Sequence, residues 1–139
     1  MADGTLHLEL CAPQKPHTEL EVADVAIPGE AGVFTVYPGH TPVLSTLIPG
    51  VLVATDTRGE EHYFAVHGGF AAVKPDKVVI LASFYEPGDD IDASRAEEAE
   101  RRAEARLQKP PEDMDWDRAE QALSRAMARM QATNKRGYL

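Results

Sequence analysis

The chain has 139 residues, 43% apolar and 27% charged, with a single cysteine and a formal charge of −9. That length suits one domain, or one domain with a small appendage, and excludes a large multidomain enzyme. The acidic balance has the wrong sign for non-specific nucleic-acid binding, the lone Cys11 excludes an intrachain disulfide and a cysteine-rich zinc site, and no run reaches the roughly 20 apolar residues of a bilayer span.

The N-terminus, Met-Ala-Asp-Gly-Thr, has neither a basic start nor an apolar h-region. No signal peptide is therefore expected, and a reducing cytoplasm is the expected compartment. Leu6, Leu8 and Leu10 then alternate with His7 and Glu9, which is the period of a half-buried strand. Further short apolar runs follow at Leu20–Ile27, Val33–Val36, Val43–Leu47, Val51–Thr55, His62–His67, Phe70–Val73 and Val78–Phe84. Turn signals separate them: Pro28-Gly29, Pro38-Gly39, Pro49-Gly50, Arg58-Gly59, Gly68-Gly69 and Pro75-Asp76. Short strands at this spacing predict a β-sandwich or barrel.

Near residue 90 the composition changes. All eleven valines lie at or before Val79, and nine of the ten glycines at or before Gly88. Charge divides at the same place. Residues 1–90 carry four Lys/Arg against thirteen Asp/Glu, whereas residues 91–139 carry ten of each. Ala, Glu and Arg now dominate, which favours helix. Asp92 is a suitable N-cap for a helix running to about Gln108, where Lys109-Pro110-Pro111 stops it. Glu112, Asp113 and Asp115 place negative charge before a second helix, from about Trp116 to Gln131. Trp116, Ala119, Leu123, Met127 and Met130 form its expected apolar stripe, opposite a thin stripe of Ala96, Ala99, Ala103 and Leu107 on the first helix. Helices of this length are marginal alone in water, so the hairpin is expected to depend on docking to the sandwich or to a partner. The fold class is thus α+β: an N-terminal β-sandwich of short antiparallel strands (1–88), then a C-terminal antiparallel two-helix hairpin (89–139).

Catalytic signatures are missing. The sequence has no G-x-S-x-G, no phosphate loop, and no histidine pair at metal-ligand spacing among His7, His17, His40, His62 and His67. Cys11 reads as a small buried apolar residue, so neither a catalytic nor a metal site is expected. Two patterns are more specific. Tyr37-Pro38-Gly39-His40-Thr41-Pro42 fixes a loop tightly and presents an imidazole at its tip, either as a rigid corner or as a partner contact. Ile91-Asp92-Ala93-Ser94-Arg95-Ala96 opens the first helix. Arg125 and Arg129 lie four apart on one face of the second helix. If the hairpin folds back, Arg95, Arg125 and Arg129 converge near Glu86, and converging guanidinium forks suit a polyphosphate.

These residues, in this order, resemble the ε subunit of the F-type ATP synthase, the small subunit of the central stalk. The likeness rests on Val36 to Pro42 with Leu44, Pro49-Gly50, Phe64 to Phe70, Val78 to Ala82, Asp90 to Ala96, and the helix of Arg118-Ala119-Glu120, Leu123 and Arg125-Ala126-Met127. It implies a non-catalytic rotor subunit, peripheral on the cytoplasmic face of the bacterial plasma membrane, with no lipid anchor of its own. Its sandwich would contact the γ subunit and the c-ring, and its helices would inhibit ATP hydrolysis when extended. Implied contact residues are Glu30, Pro38, Gly39, His40 and Pro42, with Arg118, Arg125, Arg129, Lys135 and Arg136 facing the catalytic β subunit. No cofactor is required. A regulatory ATP bound to the compact hairpin is implied by the I/L-D-x-x-R-A motif, through Glu86, Asp92, Arg95, Ala96, Arg125 and Arg129.

The chain departs from the family where G-E-x-G is common, reading Gly32-Val33-Phe34-Thr35, so the acid's role is not carried onto Val33 and falls to Glu30. Ala72 likewise stands where many members have an acid after the Gly-Gly pair. The alternative reading is a stand-alone small-ligand-binding β-sandwich, or a hydrolase using His40, with a deep pocket beside that residue.

Overall fold

The computed structural model describes residues 4–13, 15–109 and 115–133. Nine strands come first: β1 (Leu6–Ala12), β2 (Lys15–Gly29), β3 (Gly32–Val36), β4 (Val43–Leu47), β5 (Gly50–Asp56), β6 (Glu61–Val66), β7 (Gly69–Val73), β8 (Lys77–Ala82) and β9 (Tyr85–Pro87). A single 3-10 turn, Gly88–Asp90, leads into α1 (Ala93–Gln108) and α2 (Trp116–Thr133).

Two layers share the long β2. Its first half pairs with β1, and its second half with β5 and β3. One layer is β1-β8-β7-β4, and the other is β2 with β3, β5, β6 and β9. Between them lie Leu6, Leu8, Leu10, Val25, Ile27, Leu52, Phe64, Val66, Ile80 and Tyr85, all buried. The alternation of Leu6, Leu8 and Leu10 is therefore the inner face of β1, as its period predicts.

Three features differ from the sequence reading. The strands are not all short and antiparallel: β2 has 15 residues, and β1 pairs with β8 in parallel. A hydrophobic pattern gives a strand its face but not its neighbour, and six strands lie between β1 and β8 in the chain. The second difference is β9, which sits inside no apolar run. It is held by Tyr85, whose buried hydroxyl lies 2.7 Å from the Thr18 hydroxyl and whose carbonyl accepts from Lys15 Nζ at 2.8 Å. Third, Cys11 is only half-buried, because it falls on the outer face of β1 beside Leu81 of β8.

The first helix has its predicted cap, and the second is capped by one of the acids expected before it. The Asp92 carboxylate accepts from the Arg95 backbone N–H at 3.1 Å, and the Asp115 carboxylate from that of Arg118 at 3.1 Å. The α2 stripe is another correction. Trp116 and Met127 are about half exposed, and the buried residues of α2 are Ala126, Ala128 and Ala132. Ala128 and Ala132 pack on Val51, Val53 and Ala65, the outward-facing residues of β5 and β6. Ala126 faces the cleft between the helices, with Ala99 and Ala103. A helix lying close on a flat sheet selects small residues, so the large apolar ones lie off the contact. At Gly88 the approach is closest, since a Cβ there would fall inside the van der Waals shell of the Ala132 carbonyl.

Candidate functional site

Two clefts lie along the hairpin, one of them against β9 of the sandwich. A cleft of about 400 Å³ is lined by Glu86, Asp90, Ile91, Asp92, Arg95, Ala96, Ala99, Arg102 and Arg129. A second, of about 710 Å³, runs between the helices past Arg102, Arg106, Arg118, Arg125 and Arg129. Ala99, Arg102 and Arg129 line both, so the two adjoin along one groove side.

The two clefts differ in charge. The smaller is mixed: Glu86, Asp90 and Asp92 line it together with Arg95, Arg102 and Arg129, beside Ile91 and the buried Ala96. Its carboxylates can accept from N–H or O–H donors of a ligand, and its guanidiniums can donate. Farther along, five arginines face the groove with Asp115 as the one acid of that stretch. Planar guanidinium forks suit phosphate oxygens. Arg129 donates from Nε to Glu86 Oε1 at 2.6 Å, bridging α2 to β9. Arg95, Arg102, Arg106, Arg118 and Arg125 have no carboxylate partner among the described residues.

The predicted nucleotide set is therefore largely assembled. Glu86, Asp92, Arg95, Ala96 and Arg129 share the smaller cleft, while Arg125 lies one turn away in the larger. Arg102 and Arg106 were not singled out from the sequence. Their signal was present, because Arg95, Arg102 and Arg106 are spaced by seven and four and so share a face of α1. His67 is a further residue that the sequence gives no reason to single out. It is 7% exposed, its Nε2 lies 3.3 Å from Glu86 Oε1, and burial together with Arg129 holds it below the usual histidine range against the opposing pull of Glu86.

The predicted contact residues of the sandwich do not form one cluster. Tyr37-Pro38-Gly39-His40 is a turn closed by the His40 N–H on the Tyr37 carbonyl at 3.2 Å, with Gly39 at φ 87° as a type II turn requires. His40 Nδ1 donates to the Thr41 carbonyl at 2.7 Å. Neither cleft reaches His40, so the pocket expected by a hydrolase reading is not formed by them. Pro42 precedes β4, whereas Glu30 donates its N–H to Thr46 at the far end of that strand. Lys135 and Arg136 lie outside the described residues, and Arg118 is exposed at the start of α2.

The outer face of β4, β7 and β8 is apolar. Cross-strand register aligns Thr46, Phe70 and Leu81 in one row, and Leu44, Ala72 and Val79 in the next. Leu44 is 72% exposed, Phe70 51% and Leu81 52%. A contiguous face of this kind marks a protein contact more often than bare surface.

Residues 5–88 match the family model described as ATP synthase, Delta/Epsilon chain, beta-sandwich domain, and residues 89–134 the one described as ATP synthase, Delta/Epsilon chain, long alpha-helix domain. The chain belongs to the ATP synthase epsilon-chain family. An ATP synthase epsilon chain of Desulfosudis oleivorans is 43% identical over 103 residues, covering 74% of this chain and 77% of its own length. Another, of Koribacter versatilis, is 46% identical over 112 residues, covering 78% and 75%. Among solved structures, a chain of the Euglena gracilis mitochondrial ATP synthase (OSCP/F1/c-ring) superposes with a TM-score of 0.78 at 26% identity, over 90% of this chain and 79% of that one. A chain of the Tetrahymena thermophila enzyme's central stalk and c-ring, at TM-score 0.54 and 14% identity, shares the fold over 95% of this chain and 96% of its own. An epsilon chain is a non-catalytic subunit of the central stalk, peripheral in a membrane-associated complex. No helix among the described residues is long and apolar enough to cross a membrane.

Proposed function

We propose that this epsilon subunit is a rotor element whose hairpin restrains ATP hydrolysis when extended, and that ATP bound to the compact hairpin relieves the restraint. The observation that carries this is the attachment of α2: a few small side chains, the Arg129–Glu86 contact, a 3.4 Å hydrogen bond from the Thr133 hydroxyl to the Ile91 carbonyl, and a groove whose other arginines have no carboxylate partner among the described residues. An element held so lightly is biased by any ligand that prefers one arrangement. ATP would place its phosphates among Arg95, Arg102, Arg125 and Arg129, and its nucleoside against Glu86, Asp92 and Ala96. Bound there it would tie α1 to α2 and both to the body.

The γ subunit would cover the outer face of Leu44, Phe70 and Leu81, while the turns at Glu30 and at Pro38 to Pro42 would meet γ and the c-ring on the cytoplasmic side of a bacterial plasma membrane. In the extended state, Trp116 and Met127, exposed in the compact one, would pack on γ, and Arg118, Arg125, Arg129, Lys135 and Arg136 would face acids of the catalytic β subunit.

Titration of the full chain with ATP tests the regulatory half. Saturable binding is expected at millimolar ATP or below. Arg95→Ala should weaken it by tenfold or more, as loss of a charge-assisted contact worth about 1.5–3 kcal/mol requires. Absence of binding in the unaltered chain at millimolar ATP would remove the nucleotide from the mechanism and leave Asp92 a helix cap.

A further inference from the structure

Glu86 Oε1 serves two donors at once: Arg129 Nε at 2.6 Å and His67 Nε2 at 3.3 Å. The first comes from α2 and the second from the body. His67 follows the last residue of β6 and stacks on Phe84, with ring centroids 5.7 Å apart. A carboxylate beside it accepts, so the hydrogen of the neutral ring is on Nε2 and a second proton must enter at Nδ1. Nδ1 is buried without a hydrogen-bond partner among the described residues. Among the described residues, the charged groups facing the ring are Glu86 from β9, and Arg129 and Arg125 from α2.

We propose that His67 makes the docking of α2 sensitive to pH, so that acid releases the helix from the body. With α2 docked, a proton on Nδ1 has no acceptor and adds positive charge beside two guanidinium groups. With α2 away, both guanidiniums leave with it and Glu86 stays to pair with the imidazolium. The released state therefore binds the proton more tightly, and by linkage protonation favours release. Burial and the two arginines already hold the docked histidine below its ordinary value of 6.5. Docking is thus unaffected at pH well above that value and weakens as pH falls below it. One proton limits the change to tenfold in the docking constant per pH unit. His67 is a positioning residue here: it lines neither cleft, but it shares the carboxylate that does. The inference rests on the reading that the hairpin moves.

The test uses the full chain in a Cys11→Ser background, with spin labels at the exposed Thr57 and Ser124, and follows their separation from pH 8 to pH 5. The docked distance should give way to longer ones on acidification, and His67→Gln, which keeps a donor but cannot titrate, should flatten the profile. A second measurement does not depend on that variant folding: the His67 ring, followed by NMR, should titrate at higher pH in Arg129→Gln than in the unaltered chain. Equal pH profiles in the unaltered and His67→Gln chains, or an unmoved His67 titration in Arg129→Gln, would overturn the inference. Separation that changes in Arg129→Gln but not with pH overturns it while sparing the mobile hairpin. Separation that never changes overturns both.

Discussion

Two apolar layers meet on β5 and β6, one on each side, and they are built differently. The inner side contributes Leu52, Ala54, Phe64 and Val66 to a core of eighteen buried residues among those described, most of them Leu, Ile or Val. The outer side offers Val51, Val53 and Ala65 to Ala128 and Ala132 of α2, with Ala26, Tyr63 and Ile91 partly buried around them. A buried leucine-sized side chain contributes about 1.5–3 kcal/mol, whereas a methyl contributes about 0.8. The inner layer therefore holds the body together as a unit, and the outer one, with fewer and smaller side chains, holds α2 less firmly, the Arg129–Glu86 contact adding to it. Permanence and mobility are set here by side-chain size on opposite faces of the same strands.

The largest expected effect breaks the inner layer. Leu52→Ala should cost about 2–5 kcal/mol of global stability, read as a lower urea midpoint for the whole body. Gly88→Ala attacks the outer layer instead. Its Cβ meets the Ala132 carbonyl, so α2 must lift. Amides of α2 should then exchange much faster with solvent, while those of β1 and β8 keep their protection. Equal loss of protection in body and hairpin would show that the two layers are one cooperative unit. A smaller effect comes from Arg129→Gln, which removes the charge-assisted contact to Glu86 and should weaken docking by about 1.5–3 kcal/mol without lowering the body's urea midpoint.

The contrast between the layers was partly legible in the sequence. The run Val51-Leu52-Val53-Ala54 lacks alternation because β5 is buried on both faces, and an unbroken apolar run is the sign of that. The helix cap at Asp92 obeys local chemistry, so it could be read directly from the order of residues, whereas the sequence narrowed the cap of the second helix only to the acids Glu112, Asp113 and Asp115. Partners set by long-range pairing could not be: the parallel β1–β8 register and the tethering of β9 through Tyr85 depend on residues far apart in the chain. The α2 seam was misplaced because apolar periodicity weights size, and this contact selects smallness. Of the groove, the I-D-x-x-R-A segment and the arginines of α2 were readable, whereas Arg102 and Arg106 needed the α1 face to be followed a further two turns. His67 gave no sequence signal, since its role arises from Glu86 and Arg129 meeting it in space.

The smallest expected effect sharpens the comparison by its sign. His7 stands on the outer face of β1, with Nδ1 2.7 Å from Glu21 and Nε2 3.3 Å from Glu19. The Glu21 hydrogen bond chiefly raises its pKa above 6.5, with burial opposing and Glu19 assisting. A histidine raised in the folded state binds its proton more tightly there than in the unfolded chain. Its contribution is fully present below 6.5 and is lost as pH rises through the raised value. Acid should therefore tighten the β1–β2 ribbon through His7 while loosening α2 through His67. Because the His7 ring and its partners are solvent-exposed, screening keeps the effect small. Urea midpoints of the unaltered chain and of His7→Gln should draw together as pH climbs from 6 to 8. A constant gap between them across that range would show that the surface carboxylates add no net proton affinity to the folded body.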